Sequence, residues 1–247
     1  MISKTIHYCW FGRNPLPESA QKCIDSWRKF FPGYEIIKWN EDNFDVNGIQ
    51  YTSDAYKAKK YAFVSDYARF KILYENGGLY FDTDVEVIRP MDDIIEKGAF
   101  MGVEVEPVNG SGIAVNPGLG MGAENGNRIY KEILDFYSRH NFHLEDGRLN
   151  PYAVVGITTD HLLRNGLKQE YGIQTVDDIT VYPADYFNPL DDATGRLHKT
   201  ANTRSIHWYT KTWMKQNPMR KVLSRTIHRI FGTGFFTKLK NKQGKKF

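Results

Sequence analysis

The sequence predicts one α/β domain with a mostly parallel central sheet flanked by helices. Strand-like and helix-like segments alternate through residues 1–85, and that order favours parallel strands joined by crossover helices. A Gly-Gly pair at 77–78 separates an amphipathic helix from a short apolar run, which is typical of a helix that ends just before a buried strand. With 41% hydrophobic and 25% charged residues, the composition is that of an ordinary globular protein.

Each predicted element follows from its local pattern. Short apolar runs rich in β-branched and aromatic residues indicate strands at 5–10, 34–39, 79–81, 98–105, 179–183 and 204–208. Apolar residues at helical spacing indicate helices at 18–31, 54–76, 127–140 and 159–165. The glycine-rich stretch 109–122 is expected to form irregular strands and loops.

The cysteine count and the apolar runs limit the class of protein. Cys9 and Cys23 cannot build a disulfide framework and lack a metal-ligand spacing, so both are expected to be buried thiols. Residues 1–4 lead directly into a strand without a signal-peptide pattern, and no apolar run has the length of a membrane span. These features predict a cytoplasmic protein.

Charge is unevenly distributed along the chain. The net charge is +4, yet nine of the 33 Lys and Arg residues, and none of the 29 Asp and Glu residues, lie after residue 217. The preceding part of the chain is therefore mildly acidic. We expect a folded domain at 1–217 and a basic, amphipathic C-terminal tail at 218–247.

A pair of aspartates follows the predicted strand at 79–81. Side chains alternate along a strand, so the carboxylates of Asp82 and Asp84 are expected on one face. Two hard oxygen ligands at a strand end suit Mg²⁺ or Mn²⁺, with substrate phosphates completing the coordination. An isolated Asp-x-Asp is a weak motif. Asp66 and Arg69 strengthen it, because they share one face of the preceding helix; a helix-surface ion pair is the alternative interpretation of these two residues.

Together these residues resemble the sugar-binding region of the DXD glycosyltransferases, of the family-32 type. That type includes bacterial capsular polysaccharide transferases and yeast mannosyltransferases, and the clostridial glucosylating toxins share the pattern more distantly. The resemblance is strongest at Asp66, Arg69, Gly77, Gly78, Tyr80, Asp82, Thr83 and Asp84. Residues 6–12 look like the first strand of that family, and residues 206–213 are similar to its closing His/Trp segment. The resemblance implies a GT-A fold, a UDP- or GDP-sugar donor, Mn²⁺ or Mg²⁺, and retention of anomeric configuration.

The resemblance also implies roles for individual residues. Those expected to be catalytic are Asp66, Arg69 and Asp84. Those expected to bind the metal are Asp84, Asp82 and His207. Those expected to contact the donor are Trp10, Tyr80, Asp82, Asp66, Arg69, Trp208 and Trp213. A looser match places Asn116, Thr158 and Asp160 on the acceptor side.

These features predict a metal-dependent retaining glycosyltransferase that transfers a sugar to a glycan acceptor in surface or capsular polysaccharide synthesis. Two other classes stay open. A metal-dependent phosphohydrolase or nucleotidyltransferase also uses carboxylate pairs, although acids for a second metal and clustered histidines are missing from this sequence. A non-catalytic carbohydrate-binding protein would fit the 14% aromatic content and the basic tail.

The tail has the pattern of an interfacial helix. Apolar residues recur at helical spacing over 219–231, basic residues flank them, and a lysine-rich end follows. This pattern predicts docking on the anionic inner face of the cell membrane, where the acceptor would be lipid-linked. The alternative is that the apolar stripe packs on the domain. Nucleic acid is not an expected partner, because phosphate contacts do not require an apolar stripe.

Overall fold

The structure is a computed structural model that describes residues 1–107, 111–210 and Arg225. Its strands in the first two ranges are β1 (Thr5–Cys9), β2 (Glu35–Trp39), β3 (Gly78–Tyr80), β4 (Val85–Val87), β5 (Phe100–Val105), β6 (Ala114–Asn116), β7 (Met121–Ala123), β8 (Gln174–Val176), β9 (Ile179–Tyr182), β10 (Leu190–Asp191), β11 (Arg196–Leu197) and β12 (Ser205–His207). Its α-helices there are α1 (Glu18–Phe30), α2 (Gln50–Lys57), α3 (Tyr61–Asn76), α4 (Asp92–Ile95), α5 (Arg128–Tyr137), α6 (Val154–Arg164) and α7 (Ala184–Phe187).

A central mixed sheet organises the described part of the chain. The strand order is β2-β1-β3-β7-β5-β9-β8, and β6 pairs with β5. Strands β1, β2, β3, β5 and β9 run in one direction, whereas β6, β7 and β8 run in the other. Two smaller antiparallel pairs are β10–β11 and β12–β4. The predicted α/β fold with a mostly parallel sheet and flanking helices is confirmed.

Helices cover both faces of the sheet. Alternate residues of each strand point to opposite faces, so the chain has two separate cores. Cys9 of β1 and Tyr80 of β3 belong to the core that includes α2, α3, α5 and α6. Ile6, Tyr8 and Leu79 belong to the other core, with α1, α4 and α7. The strand ends and their loops are therefore the places where a polar site can form.

The helix predicted at 54–76 is in fact two helices, α2 and α3. Lys59 adopts a left-handed φ of 56°, and the Lys60 N–H donates to the Ala55 carbonyl at 2.8 Å, which closes α2. Ala and Lys are good helix formers, so nothing in the local composition signals this break. The single long helix was therefore a wrong prediction.

Helix α6 starts earlier than the predicted helix at 159–165. Its first turn is rich in β-branched residues and contains Gly156, a composition with low helix propensity. Val154 and Ile157 are buried in the core, and this packing stabilises the turn against its propensity.

The Gly77-Gly78 pair ends α3 and sets the position of β3. The Gly77 N–H donates to the Leu73 carbonyl at 2.9 Å, and both glycines have positive φ, 64° and 102°. A Cβ on Gly78 would lie 2.7 Å from the Thr5 carbonyl oxygen and 3.1 Å from His7 Nε2. Glycine at this position therefore allows β3 to approach β1 closely, and this places residue 82 at the sheet edge.

His7 in β1 is a buried histidine that uses both ring nitrogens. Nε2 donates to the Gly77 carbonyl at 3.0 Å, since a carbonyl can only accept, and Nδ1 accepts from Trp39 Nε1 at 3.0 Å. A second proton on Nδ1 would therefore face an N–H donor. Burial lowers the pKa of His7 to about 4, against the opposing effect of the Gly77 carbonyl.

We expect the fold to lose stability as pH falls from 6.5 to about 4. Within this window the unfolded chain protonates His7 and the folded chain does not, so acid favours unfolding by on the order of 2–3 kcal/mol. His7→Gln, whose amide can donate to Gly77 and accept from Trp39, should show a flatter dependence. Urea midpoints measured across this pH range test the prediction, and equal slopes for the two proteins would contradict it.

One described residue of the tail contacts the domain. Arg225 Nη2 lies 2.8 Å from Asp192 Oδ1, and its Nε donates to the Asp192 carbonyl at 3.1 Å. A Cβ on Gly195 would lie 2.9 Å from Arg225 Cδ, so the arginine packs flat against the β10–β11 turn. Trp213, and the residues of the predicted tail at 218–247 other than Arg225, lie outside the described residues.

No helix in the described ranges 1–107 and 111–210 is long and apolar enough to cross a bilayer.

Candidate active site

The Asp-x-Asp segment forms a turn at the carboxyl end of β3. The Val85 N–H donates to the Asp82 carbonyl at 3.0 Å, and Thr83 and Asp84 lie within the turn rather than in a strand. The prediction that Asp82 and Asp84 share a face because side chains alternate along a strand is therefore wrong. A turn, and not a shared strand face, brings the two carboxylates to the same edge.

Pairing of β12 with β4 brings His207 to this turn. His207 is opposite Val85 in the strand register, and its Nε2 lies 3.1 Å from Asp84 Oδ1. Thr210 donates to Asp84 Oδ2 from its N–H at 2.8 Å and from its hydroxyl at 3.1 Å. The Trp208 N–H donates to the Asp84 carbonyl at 2.9 Å. Asp84 is thus oriented by three residues of one segment.

Asp84 and His207 stabilise each other's charged forms. Burial would raise the pKa of Asp84, but His207 and the Thr210 hydrogen bonds outweigh burial and lower it to about 2. Burial would likewise lower the pKa of His207, but Asp84, then Asp82 and Glu104, raise it above its ordinary value. Asp84 is therefore ionised at neutral pH, which is the state required of a metal ligand, whereas His207 must lose its additional proton before it can bind a metal.

Arg69 of α3 orients Asp82 from the other side. Arg69 Nη2 lies 3.0 Å from Asp66 Oδ1 and 3.2 Å from Asp82 Oδ1. The Tyr80 hydroxyl donates to the same Asp82 oxygen at 3.1 Å, and the guanidinium lies 5.1 Å from the centre of the Tyr80 ring. Arg69 Nε donates to the Ser65 carbonyl at 3.2 Å, which fixes the guanidinium on the helix.

The Asp66–Arg69 pair is buried, since Asp66 is 8% and Arg69 is 3% exposed. The alternative of a helix-surface ion pair is therefore wrong. Removing one member of a buried pair leaves an uncompensated charge, at a cost of about 3–5 kcal/mol, so truncation of either residue would also affect folding. Burial raises the pKa of Asp66 to about 7, with Arg69 opposing this shift and Asp82 adding to it. Two carboxylates thus share one guanidinium.

Residues 116–118 form a wall beside Asp82. The Asn116 side-chain oxygen accepts from the Gly118 N–H at 2.7 Å, and the Asp82 N–H donates to the Gly118 carbonyl at 3.3 Å. A Cβ on Gly118 would lie 2.2 Å from Asp82 Oδ2 and 3.0 Å from Arg69 Nη1. Glycine is therefore required for the observed position of Asp82.

We expect Gly118→Ala to displace the Asp82 carboxylate and to weaken Mn²⁺ binding about tenfold, because overpacking of this size costs about 1–3 kcal/mol. Titration of free Mn²⁺ by electron paramagnetic resonance measures the change. Gly112→Ala is the matched control, since its Cβ would meet Gln169 no closer than 3.8 Å. Equal affinities for the two variants would show that this wall does not support the site.

The predicted donor-binding aromatics occupy different environments. Tyr80 is buried beside Arg69. Trp10 is partly buried and donates from Nε1 to the Asn14 carbonyl at 2.7 Å. Trp208 is 37% exposed and donates from Nε1 to Glu86 Oε2 at 2.9 Å. The donor contacts of these residues stay predictions.

The predicted acceptor-side residues are not equally accessible. Thr158 is fully buried within α6. Asp160 is partly exposed and accepts a hydrogen bond from the Tyr152 hydroxyl at 2.5 Å. Asn116 is buried and orders the wall beside Asp82. Their roles toward an acceptor stay predictions.

Asp82, Asp84 and His207, the three predicted metal ligands, come together in the structure. One ligand atom from each lies within 4.8 Å of the other two. Thr210 occupies Asp84 Oδ2, so Oδ1, which faces His207, is the oxygen available to a cation. Carboxylate oxygens suit Mg²⁺ and Mn²⁺, and imidazole is a ligand of first-row transition metals. The donor set therefore fits a divalent cation.

Two residues that shape the site, Thr210 and Gly118, were not singled out from the sequence. Gly118 follows Asn116-Pro117, which signals a turn, but its steric role depends on a side chain 36 positions earlier in the chain. Thr210 follows the His/Trp segment, and only the folded chain brings its N–H to Asp84.

Residues 17–101 match the family described as the glycosyltransferase sugar-binding region containing a DXD motif. This match confirms the resemblance predicted from the residues, and the matched segment contains Asp66, Arg69, Asp82 and Asp84.

Proteins similar to this chain include two from Schizosaccharomyces pombe, inositol phosphoceramide mannosyltransferases 1 and 3. Each is 30% identical, over 118 and 175 residues, or 43% and 65% of this chain. The chain spans 35% and 43% of their lengths. A glycosyltransferase of Acanthamoeba polyphaga mimivirus is 25% identical over 77% of this chain and 74% of its own length. Among solved structures, the PaToxG glycosyltransferase is 21% identical over 66% of this chain and 69% of that chain, with a TM-score of 0.47.

Proposed function

We propose that this chain is a metal-dependent glycosyltransferase that moves a sugar from a nucleotide-sugar donor to a glycan acceptor. One observation supports the proposal most strongly. Within a DXD sugar-binding region, Asp82, Asp84 and His207 form a possible cation site beside the buried Asp66–Arg69 pair. A binding protein for glycans would not need a buried ion pair that shares its guanidinium with a metal ligand.

Each residue of the site would have a distinct task. Asp82, Asp84 and His207 would hold Mn²⁺ or Mg²⁺, which supplies charge stabilisation to the departing diphosphate. Arg69 would orient Asp82 and offer its remaining N–H groups to a phosphate or a sugar oxygen. Asp66 would accept hydrogen bonds from sugar hydroxyls. By resemblance to the family, we propose that the anomeric configuration is retained.

Donor turnover separates this proposal from the alternatives. We expect Mn²⁺ and one of a panel of UDP- and GDP-sugars to give slow release of the nucleoside diphosphate and free sugar, and EDTA to stop it. Release of a nucleoside monophosphate or of inorganic phosphate would indicate a phosphohydrolase or nucleotidyltransferase instead. Binding of sugars without any donor turnover would favour a non-catalytic carbohydrate-binding protein.

The acceptor is proposed to be a sugar of a growing surface polysaccharide, on a lipid carrier. The family resemblance and the basic tail support this class, as do the two yeast relatives, whose names give a lipid, inositol phosphoceramide, as the acceptor. Radiolabelled product that appears only on soluble small metabolites would contradict it.

Docking of the tail on the inner face of the cell membrane remains a proposal, supported by the composition of residues 218–247. Flotation with anionic and neutral vesicles would test it, comparing the full chain with one that ends at Asn217. We expect binding of the full chain to anionic vesicles only. Asp192→Asn, which removes the ion pair with Arg225, should increase that binding if the domain and the membrane compete for the tail.

A further inference from the structure

We propose that Tyr209 is a positioning residue that holds the His207 imidazole toward the cation site. This inference rests on the proposed function, because it assumes that His207 is a metal ligand. The His207 imidazole has few polar contacts, and Tyr209 would keep it in one orientation. The evidence comes from three features around Tyr209: a ring contact, a pair of hydroxyl contacts and a strained main chain.

The orientation of His207 is not set by a hydrogen bond at its second nitrogen. Metal-binding histidines usually donate from the nitrogen that does not bind the metal to a carbonyl or carboxylate, and this fixes the ring. Here Nε2 faces Asp84, and the buried Nδ1 has no hydrogen-bond partner among the described residues. Besides the Asp84 contact, packing must therefore fix the ring.

The Tyr209 ring supplies that packing. Its centre lies 4.2 Å from the centre of the His207 ring, and the two planes are nearly perpendicular, at 85°. Edge-to-face pairs of this kind contribute beyond the area they bury, and they restrict rotation of both rings. His207 is 7% exposed, so this contact lies in a buried environment where the ring has little room to turn.

Tyr209 is itself held at the far end of its side chain. Its hydroxyl lies 2.9 Å from Glu104 Oε1 and 3.0 Å from Asn188 Oδ1. The Asn188 amide nitrogen donates to the Glu104 carbonyl at 3.2 Å, so the two acceptors of the hydroxyl are joined. Glu104 is in β5, and the hydroxyl therefore anchors the tyrosine to the central sheet.

The main chain at Tyr209 is strained in a way that serves the same site. Its φ is 49°, in the left-handed region that a bulky side chain rarely adopts. Such conformations persist where surrounding contacts enforce them, and they cluster at functional sites. The residues on either side, Trp208 and Thr210, both donate main-chain N–H groups to Asp84. One residue thus links the orientation of His207 to the hydrogen bonds of Asp84.

Binding of Mn²⁺ alone, followed by electron paramagnetic resonance, tests the inference without relying on turnover. Tyr209→Phe keeps the ring but loses the hydroxyl anchor, and we expect its Mn²⁺ dissociation constant to rise about three- to tenfold, as for one lost hydrogen bond. Tyr209→Leu loses the aromatic contact as well and should show a larger rise. Tyr130→Phe is the matched control, because its hydroxyl lies 3.4 Å from the Gly122 carbonyl in the core, and it should bind Mn²⁺ like wild type.

A double-mutant cycle shows whether Tyr209 acts through His207. In a His207→Ala background, Tyr209→Phe should cause no further loss of Mn²⁺ affinity. An equal loss in both backgrounds, or wild-type affinity in Tyr209→Phe, would overturn the positioning role while leaving the cation site intact. A wild-type protein that binds no Mn²⁺ would instead overturn the proposed function, and this inference with it.

Discussion

Asp84→Asn is expected to lower kcat/KM for donor turnover at least about 100-fold, which corresponds to about 2.7 kcal/mol of lost transition-state stabilisation. The substitution keeps the shape of the side chain but removes the negative charge from an oxygen that faces both His207 and the proposed cation. In the asparagine, an NH₂ group replaces one of the two carboxylate oxygens, and this donor then faces the donors of Thr210 or His207. We therefore expect a stability loss of about 1–3 kcal/mol without unfolding. Donor turnover at saturating Mn²⁺ and urea denaturation measure the two effects.

Asp191→Asn is the matched control for this experiment. Asp191 also accepts from a main-chain N–H, that of Ala193 at 2.9 Å, and from a threonine hydroxyl, that of Thr194 at 2.5 Å. It is the last residue of β10, outside the proposed site. We expect a similar loss of stability with unchanged turnover. Near-wild-type turnover by Asp84→Asn would show that Asp84 does not bind a metal.

Arg69→Lys and Asp66→Asn are expected to lower kcat/KM by about 100- to 1,000-fold. A lysine has no planar fork, so it cannot reach Asp66 and Asp82 with the geometry that Arg69 uses at 3.0 and 3.2 Å. Asp66→Asn leaves Asp82 as the charged partner of the Arg69 guanidinium. It also replaces one carboxylate oxygen, which is proposed to accept from sugar hydroxyls, with an NH₂ group. Because the pair is buried, both variants should also lose stability, by about 1–4 kcal/mol, so kinetics are compared at a temperature where each is folded.

The Asp25–Arg28 pair on α1 is the matched control for these two variants. It has the same three-residue spacing on a helix, with a 2.6 Å contact, but its side chains are 59% and 57% exposed. Arg28→Lys and Asp25→Asn are expected to cost well under about 1 kcal/mol and to leave turnover unchanged. Wild-type kinetics in both Asp66→Asn and Arg69→Lys would mean that the buried pair supports folding alone.

The part of the fold that surrounds the candidate site could be predicted because its signals are local. Alternating strand and helix patterns predict β1, α1, β2 and β3, and the parallel pairings of β1 with β2 and β3 agree. The Gly77-Gly78 pair marks the end of α3 by its conformational freedom. Asp82 and Asp84 are placed by this context even though they converge through a turn and not through a strand.

Features that depend on distant contacts could not be predicted in this way. The break at Lys59 has no glycine or proline, and the first turn of α6 is stabilised by buried apolar residues against its propensity. The burial of Asp66 and Arg69 comes from helices and strands packed around them, so spacing alone could not exclude a surface ion pair. Gly118 packs against Asp82, and the Tyr209 hydroxyl contacts Glu104 and Asn188, all of which are distant in the sequence.

The central claim is that Asp82, Asp84 and His207 hold a divalent cation that binds the diphosphate of a nucleotide sugar. Crystals of the full chain grown with Mn²⁺ and UDP or GDP, measured near the manganese absorption edge, test it most directly. We expect an anomalous peak within coordination distance of Asp84, with Asp82 and His207 around it and a diphosphate oxygen in contact. A nucleotide bound elsewhere, or a bound nucleotide with no manganese peak beside Asp84, would contradict the claim.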